Sequence, residues 1–534
     1  MPSTNGQETE SKTTSVQELL SENSGAGKKK KWWIPVIIIV LVLAVIGAFL
    51  VWSRQRSGQT GQEQGKADSV TIGLQLAPTN LDIRTQSGSS LDQLLIGNVY
   101  EGLVSRTSAN KIQPGLARSW TISQDGKTYT FHLNKKMKFS NGHVLDSSDV
   151  VWSIRSMMKG KYQGYSLLSN YQSVSAPNPQ TVVIKLKAPY SLLLWNLSGR
   201  AGLVFDKDAS YQPKIQAVGS GPYLVSSYRP GTSVTLKANK KYWGSRRAKT
   251  STVRIRYYAD VNAGYNALKS GQVDVLAPLD DKLAPSVSAD SRFTVSVGDD
   301  TDKYVLAFNN KKAPLTNKKV RQAIRYAIDH EAIIKSRGNY DLPLGGPITK
   351  LDPGHQDLTG LYPHNLTQAR KLMKEAGYGK DKKITLSLEY ATIYPAQIGD
   401  QLKSQLSQIG INLTVNRVDF NTWLTDVYQK RAYDLSLVDH NESHDFYQWA
   451  NPDYYYGYNN PRVQTLYKQA LASKSDSERD SKLAQAAKIV SQDAAADWLF
   501  NYRVVTASRK GVSGFPITLN QSYLPLWNLT ASRQ

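Results

Sequence analysis

The chain has 534 residues, no cysteine and a formal net charge of +23. A single hydrophobic core seldom grows beyond about 250–300 residues, so more than one domain is expected. The absence of cysteine excludes disulfides, thiolate metal sites, cysteine nucleophiles and a lipid-modified cysteine at the N-terminus. Apart from one run at 28–31 the basic residues are scattered, which argues against nucleic-acid binding. Attraction to anionic lipid or cell-wall polymer, or a merely solvated basic surface, stays open.

The first predicted element is a membrane-spanning helix over residues 32–52. Its 21 residues carry no charge and span about 30 Å as a helix, with tryptophans at both ends. Four lysines precede it, against Arg54 and Arg56 after it, which predicts a cytoplasmic, disordered tail over 1–31 and a flexible tether over 53–68. A cleaved signal peptide is the alternative, but its apolar core is normally only about 7–15 residues long. We therefore expect an uncleaved anchor and an extracytoplasmic folded part.

From residue 69 onward, strand and helix periodicities both occur, which predicts a mixed α/β fold. Alternating apolar residues predict strands at 129–133, 182–186, 253–257 and 411–415. Apolar residues at helical spacing predict helices at 320–328, 369–376 and 398–406, and 384–418 has the strand–helix–strand order of a βαβ unit.

A series of local motifs occurs in a fixed order along this part of the chain. The motifs are 98–104 (NVYEGLV), 114–120 (PGLARSW), 125–133 (DGKTYTFHL), 139–142 (FSNG), 149–153 (DVVWS), 219–223 (GSGPY) with Tyr242 and Trp243 downstream, and Phe308 and Asn309 leading to 320–329 (VRQAIRYAID). Their joint order resembles the extracytoplasmic solute-binding proteins of family 5, the dipeptide, oligopeptide and nickel binders. Each motif also has a structural explanation, such as the hairpin turn at Asp125 and Gly126, so the motifs indicate the fold and not the substrate.

The resemblance implies a two-lobed α/β clamp of the periplasmic-binding-protein type (type II, large peptide-binder class). By this analogy, lobe I takes 69–303 plus 503–534 and lobe II takes 304–502, with strands crossing near 304–306 and 501–503. A peptide-like ligand would bind between the lobes by hinge closure, for delivery to the permease of an ABC importer. The resemblance also implies that the protein is a monomer, needs no cofactor and has no enzymatic activity.

In the peptide binders of this family, a strand reading Tyr-Asp-Leu is followed by Gly-Trp and then by an aspartate that pairs with the ligand's α-ammonium. Here Asp439 and His440 stand where Gly-Trp is expected, and Ser443 stands where the aspartate is expected. Glu442 and Asp445 flank that position and could supply the carboxylate that a buried ammonium needs. The remaining candidates come from two sources. The resemblance places Gln75, Pro78, Tyr100, Ser220 and Asn309 at the cleft, and Tyr447 and Trp449 belong to the aromatic residues that follow.

Three alternatives compete with a peptide binder. His440, Glu442 and His444 alternate, so on an extended strand they would share one face and could bind zinc or nickel, which keeps a metal-chelate or other small-solute binder open. A ligand sensor would use the same fold. A hydrolase is disfavoured because there is no G-x-S-x-G, and His330-Glu331 is followed at position 334 by isoleucine instead of the histidine of a zinc protease.

Overall fold

The computed structural model describes residues 68–379 and 382–532. The predicted tail, the predicted anchor and all of the tether except Asp68 lie outside the described residues. No helix within the described ranges combines the length and the apolar character needed to cross a bilayer.

The strands of the described chain form one large sheet, one four-stranded sheet and two short pairs. In chain order they are β1 (Ser69–Leu74), β2 (Val104–Arg106), β3 (Ile112–Pro114), β4 (Ala117–Ile122), β5 (Thr128–Leu133), β6 (Tyr171–Asn178), β7 (Thr181–Leu186), β8 (Tyr223–Arg229), β9 (Ser233–Ala238), β10 (Thr252–Tyr257), β11 (Val275–Ala277), β12 (Phe293–Phe308), β13 (Ile384–Ala391), β14 (Ile411–Val418), β15 (Leu435–His440), β16 (Ala496–Arg509), β17 (Val512–Ser513) and β18 (Thr530–Ala531).

The α-helices of the same part of the chain lie between these strands. They are α1 (Ser89–Leu95), α2 (Ser147–Gly160), α3 (Leu193–Leu197), α4 (Val261–Lys269), α5 (Ala284–Ser288), α6 (Lys318–Ala327), α7 (His330–Ser336), α8 (Leu366–Glu375), α9 (Ala396–Ser407), α10 (Phe420–Trp423), α11 (Tyr447–Ala450), α12 (Pro461–Ala472) and α13 (Asp476–Gln492). Short 3-10 turns occur at Tyr165–Leu168, Arg200–Gly202 and Thr359–Leu361, and a π-helical turn at Leu424–Gln429 extends α10.

The predicted secondary structure is confirmed at each of the named segments. The strands β5, β7, β10 and β14 and the helix α9 cover the predicted ranges, and the helices α6 and α8 each end one residue before the predicted end. The predicted βαβ unit is β13, α9 and β14, with β13 and β14 parallel in register from Ile384 opposite Ile411. The turn at Asp125 and Gly126 joins β4 to β5 as predicted, with Gly126 at φ 71°, a conformation that glycine adopts without strain. Asp329 is the N-cap of α7, where its carboxylate accepts a hydrogen bond from Ala332 N at 2.9 Å.

The large sheet has the order β14-β13-β15-β12-β16-β11-β1-β10-β9-β8. Its two longest strands, β12 and β16, are antiparallel neighbours at its centre. One side of this pair contacts β15 and the other contacts β11, so β12 and β16 join the two parts of the molecule. The strands predicted to cross between the lobes are these two, and the lobe limits themselves stay a prediction.

The buried apolar residues form separate cores on the two sides of the crossing strands. One core contains residues from Val305 to Phe500 and includes α6, α8, α9 and α13. The other side has a core around β1 and β10, a second around the four-stranded sheet β4-β5-β7-β6, and a third around α4 and α5. The C-terminal residues Leu519 to Leu529 pack into the core around β1. The described chain thus consists of two bodies with separate cores, connected through a strand pair.

Candidate ligand-binding site

The crossing strand β12 is irregular where it passes between the two bodies. Its register with β16 is interrupted between Asp299 and Lys303, which leaves Asp300, Thr301 and Asp302 out of that ladder. The side-chain amide of Asn501 on β16 donates to the carbonyls of Asp300 at 3.0 Å and Asp302 at 2.7 Å, which satisfies backbone groups that the bulge frees. A run of polar residues is thus buried in the middle of the molecule.

Lys303 is the cation of this run, and its charge is satisfied within the protein. Its Nζ lies 3.2 Å from Asp445 Oδ2, and the two side chains are only 2% and 4% exposed. It also donates to the carbonyls of Thr301 at 2.9 Å and Glu442 at 3.1 Å. Burial opposes its charge, but the neighbouring carboxylates, Asp445 first, prevail and raise the pKa of Lys303. Burial raises the pKa of Asp445 to about 7, because the attraction of Lys303 offsets only part of the desolvation.

Asp300 is the most buried carboxyl of the run, at 1% exposed. Thr301 N donates to its Oδ1 at 2.7 Å, whereas its Oδ2 has no hydrogen-bond partner among the described residues. Burial, as the largest cause, raises its pKa to about 6. The folded state therefore holds the proton of Asp300 more tightly than the unfolded chain does.

This difference predicts a pH dependence of stability. Because the pKa of Asp300 is raised on folding, its proton stabilises the fold below about pH 4, and this contribution is lost as the pH rises to about 6. Asp300→Asn mimics the protonated group. We expect the free energy of unfolding of this variant, relative to that of the unchanged protein, to increase by up to about 3 kcal/mol between pH 4 and pH 7. Urea denaturation of both proteins across this range measures the difference, and a difference that is constant with pH would contradict the assignment.

A second polar group links the two bodies through Asn110 and Ser443. The Asn110 amide donates to Ser443 Oγ at 2.9 Å and to the Leu351 carbonyl at 3.1 Å. Ser443 in turn donates to the buried carboxylate of Asp352. Nearby, the ring of His444 stacks on Trp195 with centroids 3.9 Å apart. Residues 443–445 therefore meet residues near 110 and 195 directly across the cleft.

Cavities border this contact, and the largest of them has a volume of about 800 Å³. Residues of both bodies line it, among them Asn110, Lys111, Trp120, Ile122, Trp195, Lys350, Asp352, His355, His444, Lys474 and Arg479. This volume lies within the range of about 300–1,000 Å³ that is typical of small-molecule ligand pockets. A second cavity of about 260 Å³ is lined by Gln75, Tyr258, Asp281, Tyr304, Arg337, Ile393 and Tyr502.

The structure brings several of the predicted residues to these interlobe regions. Ser443 and Asp445 lie in the polar groups described above, and Glu442 contributes its backbone carbonyl while its side chain is exposed. Gln75 lines the smaller cavity. Asp439 accepts a hydrogen bond from Tyr394 OH at 2.5 Å, and burial raises its pKa.

The other predicted residues lie in cores or at the outer surface. Tyr100 is 2% exposed, and its ring centroid lies 4.9 Å from that of Phe205. The Pro78 carbonyl accepts from Tyr228 OH at 2.9 Å. The Asn309 amide donates to the carbonyls of Arg431 and Tyr433, which fixes a loop.

The aromatic candidates Tyr447 and Trp449 also lie away from the two cavities. The indole of Trp449 stacks on Tyr456 at 4.5 Å between ring centroids and is 3% exposed. Tyr447 is 42% exposed and lines neither cavity.

Ser220 belongs to a buried network that explains two of the sequence motifs. Its hydroxyl donates to Glu101 Oε2 at 2.9 Å, and the same carboxyl group accepts from Tyr242 OH at 2.7 Å and from Trp243 Nε1 at 3.0 Å. The GSGPY motif and the Tyr242-Trp243 pair therefore meet at Glu101. The network holds loops of the first body together and does not reach the cleft cavity.

The alternative metal triad is not assembled. The prediction required an extended strand over 440–444, but β15 ends at His440 and a turn follows at Ser443 and His444. His440 contacts Tyr456 and Tyr455, and burial lowers its pKa to about 3, whereas His444 stacks on Trp195. Among the described residues, no group of three histidine, cysteine, aspartate or glutamate side chains could hold a metal ion.

Sequence reasoning missed Lys303, Asn110, Trp195 and Asp352. Lys303 follows three aspartates in the sequence DDTDK, and this density of charge directly before the predicted crossing near 304–306 was the available signal. Asn110 and Trp195 carry no comparable signal, because each is placed by contacts with residues more than 240 positions away.

Comparison with known proteins agrees with this architecture. Residues 111–465, well over half of the chain, match the family model described as bacterial extracellular solute-binding proteins, family 5 Middle. The chain therefore belongs to the family 5 bacterial extracellular solute-binding proteins, as the motif order predicts.

The names of the similar proteins refer to different ligands. The glutathione-binding protein of Pectobacterium atrosepticum is 25% identical over 459 residues, which cover 80% of this chain and 88% of that protein. The structure of DppA from Helicobacter pylori with the peptide STSA has a TM-score of 0.72 at 19% identity, over 88% of this chain and 99% of that one. NikA from Staphylococcus aureus with Ni(L-His)2 has a TM-score of 0.71 at 22% identity, over 88% and 100%. These structures support the two-lobed α/β fold, and the spread of ligands leaves the solute of this chain to be inferred from its own residues.

Proposed function

We propose that this protein is the substrate-binding component of an ABC importer and that it captures a peptide-like solute between its two lobes. The observation that carries the proposal is the polar interlobe region beside a cavity of about 800 Å³, lined by residues of both bodies. A solute that contacts both sides stabilises the closed arrangement over an open one, and hinge closure then reports its presence to the permease. The protein acts as a monomer and carries out no chemistry on the solute.

The residues that line the cavity favour a solute with both hydrogen-bond donors and acceptors. Among them, in the described part of the chain, Asn110 Oδ1 is a buried acceptor without a partner, while Lys111 and Lys474 are exposed donors with no carboxylate within 4.0 Å. Leaving a buried polar group unpaired costs about 1–3 kcal/mol, so a ligand that pairs with it binds with a corresponding gain. Peptides and related conjugates carry donors, acceptors and both charges.

Mass spectrometry of the full-length chain tests this function. The protein is purified without refolding, its intact mass is measured under native conditions, and the bound molecule is then released by denaturation and identified. Short peptides or a peptide conjugate are the expected result. A metal chelate or a sugar as the consistent occupant would contradict the peptide assignment while leaving solute capture intact.

We further propose that residues 32–52 anchor the protein in the cytoplasmic membrane, with the binding domain outside. The support is the uncharged, tryptophan-flanked 21-residue sequence and the lysines that precede it. Deleting 32–52 is expected to move the protein from the membrane fraction to the soluble fraction, as measured by fractionation and immunoblotting. Replacing the four lysines at 28–31 by glutamine is the matched control for surface charge and should leave it in the membrane fraction. An unaltered chain recovered soluble and shortened at its N-terminus would show a cleaved signal peptide instead.

A further inference from the structure

The segment 209–259 of the first body contains ten basic residues and no acidic residue. At the chain's average of 43 acidic residues in 534, about four would be expected in a segment of this length. The segment includes β8, β9 and β10, the last three strands at one end of the large sheet. Its positive charge is therefore not offset by carboxylates of the same segment.

Half of these basic residues lie in the connection between β9 and β10, residues 239–251. Arg246 is held against the body, because its Cζ lies 5.3 Å from the ring centroid of Trp527 and it donates to the Pro114 carbonyl at 2.7 Å. The other four, which we call the basic cluster, are exposed: Lys240, Lys241, Arg247 and Lys249. Within the described ranges, no member of the basic cluster has a carboxylate within 4.0 Å.

The backbone that carries the basic cluster is fixed on its inner side. Tyr242 and Trp243 donate to the buried carboxyl group of Glu101, as described above. Lys249 N donates to the Trp527 carbonyl at 2.9 Å, so the main chain of the connection is tied to the body while the charged side chains extend into solvent. The basic cluster is therefore a preorganised surface of the first body.

The basic cluster lies where the chain enters the first body. Ser69, the first residue of β1, is paired with Thr252 at the start of β10. The carbonyl of Asp68 accepts from Thr252 N at 3.0 Å and from the hydroxyl of Ser251, which is the last residue of the connection. The 16 residues 53–68 separate this point from the proposed anchor, and a chain of that length spans at most about 58 Å. An anchor at 32–52 would therefore keep this end of the body within reach of the membrane surface.

A membrane surface with anionic phospholipid headgroups fits this arrangement in charge and in position. Each lysine or arginine close to such a surface contributes about fivefold to the attraction. The anchor would also make docking intramolecular, which raises the effective concentration of the surface. A soluble phosphate polymer carries the same charge, but the chain itself does not bring it to the basic cluster.

We propose that the basic cluster docks on the anionic phospholipid headgroups of the membrane that carries the anchor. This inference rests on the proposed anchoring by residues 32–52 and is independent of the identity of the solute. Docking holds the binding domain at the bilayer with the β9–β10 connection towards the lipid. The domain is then presented in a restricted orientation to a permease in the same membrane.

The test measures how close the connection lies to the lipid headgroups. Since the chain has no cysteine, a fluorophore can be attached at Ser245→Cys, an exposed position within the connection. The full-length chain is reconstituted in vesicles of phosphatidylcholine alone or with an equal amount of phosphatidylglycerol, each containing a headgroup-spin-labelled lipid as quencher. We expect strong quenching in the anionic vesicles and weak quenching in the neutral ones. Raising the salt concentration from about 0.1 M to about 1 M shortens the Debye length from about 10 Å to about 3 Å and should abolish the difference.

A variant with all four residues of the basic cluster replaced by glutamine measures their contribution. It should lower the docking equilibrium constant in the anionic vesicles at least about tenfold. The matched control removes the same charge from exposed helix positions of the second body: Lys371→Gln, Lys374→Gln, Lys403→Gln and Lys488→Gln. The control variant should dock like the unchanged protein, because the effect depends on the position of the charges and not on the net charge.

The other outcomes separate docking from anchoring. A chain that floats with both kinds of vesicle but is quenched equally in them, or is quenched without the basic cluster, would overturn docking and leave the anchor standing. A chain that floats with neither kind would overturn both. Release from the anionic vesicles by soluble polyphosphate, at a phosphate concentration below that of the vesicle lipid, would assign the basic cluster to a phosphate polymer and overturn the lipid assignment. The lipid and salt comparisons use the unsubstituted cluster, so they hold even if the glutamine variant fails to fold.

Discussion

Lys303→Met is expected to lower the free energy of unfolding by about 3–5 kcal/mol, measured by urea denaturation at pH 8. The substitution removes the cation from a pair that is almost fully buried and leaves Asp445 without its partner at 3.2 Å. An isolated buried carboxylate is costly, so Asp445 would take up a proton, and its pKa would rise above the value of about 7 that it has beside Lys303. The destabilisation should therefore be smaller at pH 5 than at pH 8.

The double variant Lys303→Met with Asp445→Leu is the control for this pair. Replacing both ions by apolar groups removes the unpaired charge, and stability should return to within about 1–2 kcal/mol of the unchanged protein. If the single variant were as stable as the unchanged protein at pH 8, the buried ion pair would have no energetic role.

Glu101→Leu is the second change with a large expected effect. It removes the common acceptor of Ser220, Tyr242 and Trp243 and leaves their donors without it. At about 1–3 kcal/mol for each unsatisfied buried group, we expect a loss of about 3–6 kcal/mol in the free energy of unfolding. Thermal and urea denaturation measure the loss.

Two milder variants of the same network separate its structural role from ligand contact. Glu101→Gln keeps an acceptor and should cost less than half as much, and Ser220→Ala should cost about 1 kcal/mol. Both should bind solute with the affinity of the unchanged protein, because the network lies in the first body and lines neither interlobe cavity. A tenfold loss of affinity in Ser220→Ala would instead make Ser220 a ligand contact.

Much of the fold could be predicted because the pattern that specifies each element depends on residues that are close together in the sequence. The apolar periods of α6 and of the β13–α9–β14 unit are set by contacts within about 35 residues, so each segment specifies its own structure. The hairpin at Gly126 needs only a residue that adopts a positive φ between two alternating strands. The order of motifs then supplied the arrangement of the two lobes.

The site could be predicted only in part, because its contacts are remote in sequence. Ser443 and Asp445 were named as candidates from the motif after β15; Ser443 contacts Asn110 of the first body, and Asp445 pairs with Lys303. The partner of Asp445 was not foreseen, since Lys303 lies 142 positions earlier and is aligned by the bulge in β12. Alternation at 440–444 misled the metal hypothesis because the strand ends at His440.

Several polar contacts join the two bodies across the cleft. Besides the Asn110 contacts, the amide and hydroxyl of Ser191 donate to the carbonyls of Leu471 and Ala470, each at 2.8 Å. Arg337 of the second body pairs with Asp281 of the first at 3.2 Å. These few polar contacts are weak individually, so a solute that adds contacts to both bodies can shift the balance between open and closed forms.

The most direct test of solute capture between the lobes is a distance measurement across the cleft. Since the chain has no cysteine, spin labels can be placed at Lys111→Cys and Lys474→Cys, exposed residues on opposite sides of the large cavity. A control pair at Lys127→Cys and Lys159→Cys lies within the first body. We predict that adding a mixture of tripeptides shortens and narrows the distance between the first pair and leaves the control pair unchanged. Unchanged distances in both pairs, with binding of the peptides demonstrated by titration, would contradict capture by closure of the two lobes.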